Sequence, residues 1–515
     1  MKAKIFKLTS LSLVATAAML MTACTDGFED ANRPGDKASS EELGRDNYST
    51  GSFLVQMQNE AFPEQENTYQ MNQDLIGNYL GRYFTYANNG FADNNFVRMN
   101  APVNWVRYPF SDSMPKTVSA FNEIVRLTGT ESLSYAWALI LRAQSFLRLT
   151  DMYGPIPIGA EENANAYSSQ QKVYHTLVAD LDKALGIINP MIQAGGGTLT
   201  QFTSSDKVYD GDFTKWVKYA NSLKLRMAVR MRFVEPEYAR TVAEEAVAGG
   251  VITANADNAT ISYVPNGLYK TSVEWGDSRA CADLESYMTG YGDPRLTQYF
   301  NAPATTGDRP VIGCRAGAKI GNKDVADALY SSAKVSQNTR GVWMTASEMA
   351  FCRAEGALAG WSGMGGTVES LYNEAITLSF EQWGASGAAD YIANSTATPA
   401  DYTDAASGYG QSHGKMTDIT VKWDDNASDE EKLERIIVQK WIALFPDGQE
   451  AWDEIRRTGF PKVFPPAQST TYDLDVPNRI PFDYMEPVNN PENYQKAVQL
   501  LGGSDTYVTK MWWQK

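Results

Sequence analysis

A mostly α-helical fold, built from four tetratricopeptide-like helix pairs with long irregular loops and a few short strands, is what this 515-residue sequence predicts. Three observations lead there. Apolar residues recur at three- and four-residue steps, the spacing of one helix face, in stretches that come two by two. Turn residues separate the members of each pair. Two long segments, 251–340 and 384–428, lack that periodicity, and loops of such length are usually functional or disordered.

The chain opens with Lys2, Lys4 and Lys7 ahead of an apolar run from Leu8 to Met21 that is short for a bilayer span. Met21-Thr22-Ala23-Cys24 then places small residues before a cysteine, as lipoprotein signal peptidase requires, although Met21 stands where leucine is commoner. Residues 1–23 read as a signal peptide, and Cys24 as the lipidated residue that anchors the mature chain to a membrane without spanning it. Residues 24–50, polar and rich in Asp, Glu, Asn and Ser, read as a tether, and residues 51–515 as the folded body.

The first helix pair is Lys116–Leu127 with Ser132–Tyr153, parted by Thr128-Gly129-Thr130 and ended by Gly154-Pro155. Leu133, Ala136, Trp137, Ile140, Gln144 and Leu147 share one face of its second member. The second pair is Gln171–Ile188 with Thr214–Phe233. There Trp216, Ala220, Leu223, Met227 and Met231 form the inner stripe, and Lys218, Lys224, Arg226, Arg230 and Arg232 largely surround it. His175 falls within the apolar pattern of this pair and reads as a packed helix residue, whereas His413 reads as a loop residue. The third pair begins with the capping box Thr345-Ala346-Ser347-Glu348. Phe351, Ala354, Leu358 and Trp361 form its stripe, and Ala350, Gly356, Ala357 and Ala359 are small enough to let Val368–Trp383 approach closely. The fourth pair is Glu430–Phe445 with Gln449–Thr458, broken at Pro446-Asp447-Gly448. The pairs do not recur at a fixed period of 34 residues, so periodicity alone is a weak warrant for a repeat fold. Thr260-Ile261-Ser262-Tyr263-Val264 is the clearest strand-like run.

Composition narrows the function. The 45 Lys and Arg, less the three lysines of the signal, leave 42 against 61 Asp and Glu, a net charge of −19 on the mature chain. That argues against nucleic acid or an anionic membrane face as partner. After Cys24 only Cys281, Cys314 and Cys352 remain, with no CxxC spacing, so a disulfide scaffold or zinc site is not expected. Two histidines and no cysteine cluster speak against a zinc-type metal site and a Ser-His-Asp triad, and no cofactor is expected; a structural calcium on an acidic loop stays open, although no loop has EF-hand spacing. The acid pairs Asp424/Asp425 and Glu244/Glu245 are adjacent and point about 100° apart on a helix, unlike the converging carboxylates of a glycosidase. No catalytic residue is expected.

Several short stretches, taken together and in order, resemble one family. After Cys24 comes Phe28-Glu29-Asp30-Ala31-Asn32-Arg33-Pro34, then Met152-Tyr153-Gly154-Pro155-Ile156-Pro157, Ala220-Asn221-Ser222-Leu223-Lys224-Leu225-Arg226 and Asp293-Pro294-Arg295-Leu296. Glu348-Met349-Ala350-Phe351, Gln439-Lys440-Trp441, Glu450-Ala451-Trp452, Arg456-Arg457-Thr458-Gly459-Phe460-Pro461 and Met511-Trp512-Trp513 follow. The chain thereby resembles, nearly end to end, the SusD/RagB family of nutrient-binding outer-membrane lipoproteins of Bacteroidetes, in its SusD-like branch. The resemblance implies a SusD-like fold, lipid anchoring to the outer membrane facing the cell exterior, and a SusC-type TonB-dependent transporter as partner. It also implies that Asp26, Glu29 and Asp30 act as an export signal, against the plainer reading of a solvated tether. The cargo it implies is an oligosaccharide. A peptide, or a structural lid with little ligand affinity of its own, is the alternative.

Most of the shared motifs read as structural. Arg456-Arg457 sit near a helix end, Asp293-Pro294-Arg295 reads as a turn capped by its Asp, and Trp216, Trp361, Trp441, Trp452, Trp512 and Trp513 read as core. Ligand candidates are aromatics in polar loops, because a sugar ring offers an apolar face to a flat side chain and a rim of hydroxyls to amides and guanidinium groups. Two stretches qualify: Tyr83, Phe84, Phe91, Asn94, Asn95 and Arg98 in the first, and Tyr269, Trp275 and Arg279, beside Asp277, in the second.

Overall fold

The structure, a computed structural model, describes residues 48–159, 165–305, 307–406 and 411–515; Cys24 and residues 1–47 lie outside that range. Helix α1 spans Tyr48–Ala61. Helix α2, Met114–Thr128, and helix α3, Leu133–Tyr153, form the first pair. Ser132 caps α3 by accepting the Tyr135 amide at 3.1 Å, and Gly154, at φ +86°, ends it. Helix α4, Gln170–Gln193, lies against both α3 and helix α5, Phe213–Met231.

Helix α6, Pro236–Gly249, is an addition to the sequence reading and is the chief packing partner of α5. Its signals were present: a proline in the first turn, and Ala239, Val242, Ala243 and Ala246 at helical spacing, all buried. Helix α7, Ala346–Leu358, packs along helix α8, Val368–Gln382. Gly356 lets Trp361 fold back on α7, since a Cβ there would lie 2.7 Å from the indole. Helix α9, Asp429–Ala443, leads into helix α10, Gly448–Thr458. The α10 helix packs chiefly on a π-helical segment, Gln70–Asn78. Contact is backbone to backbone there: a Cβ on Gly448 would sit 2.5 Å from the Asn78 Cα.

The predicted capping box at Thr345 forms by half. Thr345 accepts the Glu348 amide at 3.1 Å, but the Glu348 carboxylate is taken by Arg226 through two bonds of 2.7 Å. A complete capping box stands at Ser428 and Glu431.

The cations of α5 are likewise held by carboxylates. Lys224, Arg226 and Arg230 are buried. Arg230 reaches Asp151 of α3 and Asp453 of α10, both at 2.5 Å, and Glu450 of α10. Arg457 holds Glu355 of α7 with two bonds, at 2.6 and 2.8 Å. Ion pairs thus cross the helical layers through the cations that flank the apolar stripe of α5 and through Arg457 of α10. Burial would raise Glu450, but Arg226 and Arg230 overcome it and hold its carboxyl at about 2.

His175 is also different. It lies on the surface of α4, 42 % exposed, beside Glu235 at 2.6 Å and Tyr238. Its helix face is the outer one, since Val173, Tyr174 and Leu177 turn inward. Trp216, Trp361, Trp441, Trp452 and Trp513 are buried, while Trp512 is only half-buried. Each buried ring contributes a few kcal/mol, about 25 cal/mol per Å² removed from water.

Four short strands make two sheets. Strand β1, Phe84–Tyr86, pairs antiparallel with strand β3, Ser278–Ala280, and strand β2, Ala259–Ile261, pairs with strand β4, Gly341–Met344. The strand-like run at Thr260 ends at Ile261, earlier than its pattern suggested.

Candidate ligand-binding site

Pairing of β1 with β3 sets Thr85 opposite Arg279 and so joins the two candidate stretches, almost 200 residues apart in the chain. Both strands are buried on both faces. Tyr83 and Phe84 therefore point into the core: the Tyr83 hydroxyl donates to the Trp441 carbonyl, and Phe84 meets Phe300 edge-on at 5.6 Å. Arg279 is buried too, donating to the Ser272 and Ser278 carbonyls at 2.8 Å and pairing with Asp327. Asn95 donates to the Phe91 carbonyl at 2.8 Å and accepts the Arg98 amide at 2.9 Å. Tyr83, Phe84, Asn95 and Arg279 thus shape the loops from behind and present no face to solvent.

The remaining candidates reach the surface. Phe91 is half-buried with its ring edge-on to Trp105 at 5.0 Å, and Asn94 is exposed. Arg98 donates to the Asp93 carbonyl at 3.1 Å and the Ser469 carbonyl at 3.3 Å. Tyr269 and Trp275 are half-buried, on and just after a π-helical turn, Tyr269–Glu274. Such segments are frequent at functional sites. Lys270 lies 5.3 Å from the Trp275 ring centroid and is held there by Glu66 at 3.1 Å. Gly276 turns the chain sharply behind Trp275, at φ +66°, where a Cβ would approach Arg279 Nη2 to 3.3 Å.

Asp277 connects the two stretches. Its carboxylate accepts from Asn88 at 2.9 Å and Gln70 at 2.8 Å, and pairs with Lys323 at 2.5 Å. Lys323 also donates to the Trp275 carbonyl at 2.8 Å. Segment 319–323 closes a further side: Lys319 pairs with Asp93 at 3.1 Å, and Asn89 donates to the Gly321 carbonyl. The segments that carry these polar groups also carry Trp275, on the Asp277 side, and Phe91, packed on Trp105, on the Asn88 side. Sequence reasoning missed Trp105, Lys319 and Lys323. Trp105 meets the same test of an aromatic among polar neighbours, Asn104 and Arg107. The lysines carried no signal, because only the fold brings them to Asp93, more than 200 residues away, and to Asp277, more than 40 away.

Beneath the Tyr269 segment lies a carboxyl with no cation against it among the described residues. Glu64 is buried and accepts the Gly267 amide at 3.1 Å, at the turn that leads into the Tyr269 segment. Burial pushes it up to about 7, against one lowering hydrogen bond from Gly267. The native state therefore keeps a proton that the unfolded chain releases near pH 4.5. The resulting stability is present below that value and is lost as pH rises through 7. Glu64→Gln, which cannot ionise, is expected to be more stable than the wild type by about 2–3 kcal/mol at pH 8.5 and nearly equal to it at pH 4.5. Urea melts at the two pH values measure this, and an equal difference at both would exclude it.

Asp424 and Asp425 are exposed and separate from this surface, and Glu244 pairs with Arg240 at 2.9 Å. Among the described residues no group of three or more His, Cys, Asp or Glu is placed to hold a metal ion, and Cys281, Cys314 and Cys352 are free and buried. No helix among them is long and apolar enough to cross a membrane.

Residues 30–514 match the family model described as SusD-like, SusD and RagB outer membrane lipoprotein. Among solved structures, a SusD-like protein of Bacteroides thetaiotaomicron is 35 % identical with a TM-score of 0.85, over 90 % of this chain and 98 % of that one. A SusD homologue of Bacteroides uniformis is 36 % identical with a TM-score of 0.84, over 91 % and 99 %. A chitin-binding SusD homologue of Flavobacterium johnsoniae is 35 % identical with a TM-score of 0.85, over 90 % and 98 %. No curated protein matches the chain.

Proposed function

Because the chain belongs to the family of SusD-like outer membrane lipoproteins, we propose that it is a non-catalytic binding protein that captures an oligosaccharide and delivers it to a SusC-type TonB-dependent transporter. Lipid on Cys24 anchors it to the outer membrane on the exterior side, residues 24–50 act as the tether, and residues 51–515 bind the nutrient. The observation that carries the reading is the β1–β3 pairing. It joins the loop that carries Phe91, packed on Trp105, to the segment that carries Trp275, with Asn88, Asp277 and Lys323 hydrogen-bonded or ion-paired at the junction, which supports a shared ligand surface. Aromatic faces suit the C–H side of a sugar ring, and Asn88, Asn94, Asp277 and Lys323 suit its hydroxyls. A related protein that binds chitin, at 35 % identity over nearly the same length, supports a glycan as cargo. Transfer to a transporter rests on family membership.

The test is affinity electrophoresis of the full mature chain, left unlipidated by Cys24→Ser, through gels containing single polysaccharides, with calorimetry against a peptide pool. Retardation by a glycan is the expected result. Heat from peptides alone would move the cargo to peptide. Silence in both would leave a lid without ligand affinity of its own and overturn the proposal.

A further inference from the structure

The cations on the candidate surface are all engaged. Lys319 and Arg98 face Asp93, at 3.1 and 4.0 Å. Lys323 is on Asp277, and Lys270 lies between Glu66 and Glu274. Arg82 and Arg315, with no carboxylate in contact among the described residues, are buried; they donate to backbone carbonyls, and Nε and Nη1 of Arg82 and Nε of Arg315 have no partner. Arg340, exposed beside the turn that leads to Tyr269, donates to Thr260 and to the Lys207 and Val208 carbonyls. Asp324, beside Lys323, is exposed and adds one more negative charge.

From this arrangement, and resting on the glycan reading above, we infer that the site takes an uncharged glycan and rejects those bearing uronate or sulfate groups. Among the described residues, an anionic sugar beside Phe91, Trp275 and Asp277 would find no exposed lysine without a carboxylate already in contact. To gain one it would have to displace a carboxylate already in contact, leaving that carboxylate unpaired beside the ligand's own charge. The net charge of −16 over the whole sequence opposes an anionic polymer at longer range as well. Hydroxyls of a neutral sugar need no such exchange, because a carboxylate or ammonium within an ion pair still has lone pairs or protons to share.

The experiment compares neutral polysaccharides (chito-oligosaccharides, glucans, mannans) with polygalacturonate, alginate and a sulfated galactan, at about 0.05 M and about 0.5 M salt, where screening differs strongly. The mature Cys24→Ser chain is expected to bind a neutral glycan with affinity that changes less than about twofold between the salts, and no anionic one. Asp93→Asn, at an exposed position, releases Lys319 and Arg98. It is expected to gain binding of an anionic glycan at low salt and lose it at high salt. Wild-type binding of an anionic glycan that weakens steeply with salt would overturn the inference and leave the glycan reading standing. Absence of binding to every glycan would overturn both.

Discussion

Arg230→Met is expected to destabilise the protein by about 3–5 kcal/mol, the cost of removing one partner from a buried ion network. Arg230 is buried in α5 and faces three carboxylates, Asp151, Glu450 and Asp453, that arrive from α3 and α10. Without it these acids are left close together in the core, with Arg226 against Glu450 and Arg456 against Asp453 to offset them. Asp151 also accepts from Tyr174 at 2.6 Å and Trp513 at 2.8 Å, so the disturbance reaches α4 and the C-terminal segment. The double variant Arg230→Met with Asp453→Leu is expected to be more stable than Arg230→Met alone, because it removes charge of both signs. Urea unfolding of the three proteins measures this. A cost near zero for the single variant would show that the carboxylates find other partners.

Trp275→Ala is expected to weaken glycan binding by about 30-fold or more, the roughly 2 kcal/mol typical of an aromatic anchor. The half-buried ring follows the π-helical turn, with Lys270 against it and Asp277 two residues on. Its removal leaves the β1–β3 pairing and the Asp277 contacts in place, so unfolding stability should change by less than about 1 kcal/mol. Trp275→Phe should restore part of the affinity. Calorimetry with the glycan that retards the wild type, beside a urea melt, separates the two effects. Unchanged affinity would remove Trp275 from the site. Tyr83→Ala would be a poor substitute for this experiment, because Tyr83 is fully buried and its loss would lower stability by about 3–5 kcal/mol before any ligand was added.

Residues from both candidate stretches were legible as a group, but their individual roles were not. The criterion of aromatics within polar loops selected Phe91 and Trp275, which reach the surface, and equally Tyr83 and Phe84, which the core absorbs. It distinguishes a loop from a helix and says nothing of depth. Asn95 and Arg279 satisfied the criterion for a similar reason: polar side chains mark both ligand contacts and the hydrogen bonds that hold a loop in shape, and here they do the second.

Read alone, the sequence determined the helices that the four pairs name and the family resemblance, because helix periodicity and family motifs are written in neighbouring residues; that α5 packs chiefly on α6 was left to the fold. Tertiary structure decided which polar residues are inside. The cations that flank the apolar stripe of α5 form a buried network because acids from α3, α7 and α10 close over them. It also decided that residues near 90, 275 and 320 share one surface, since strand pairing and ion pairs between distant segments leave no local pattern to read. Burial and charge compensation belong to the assembled surface and not to any one segment that contributes to it.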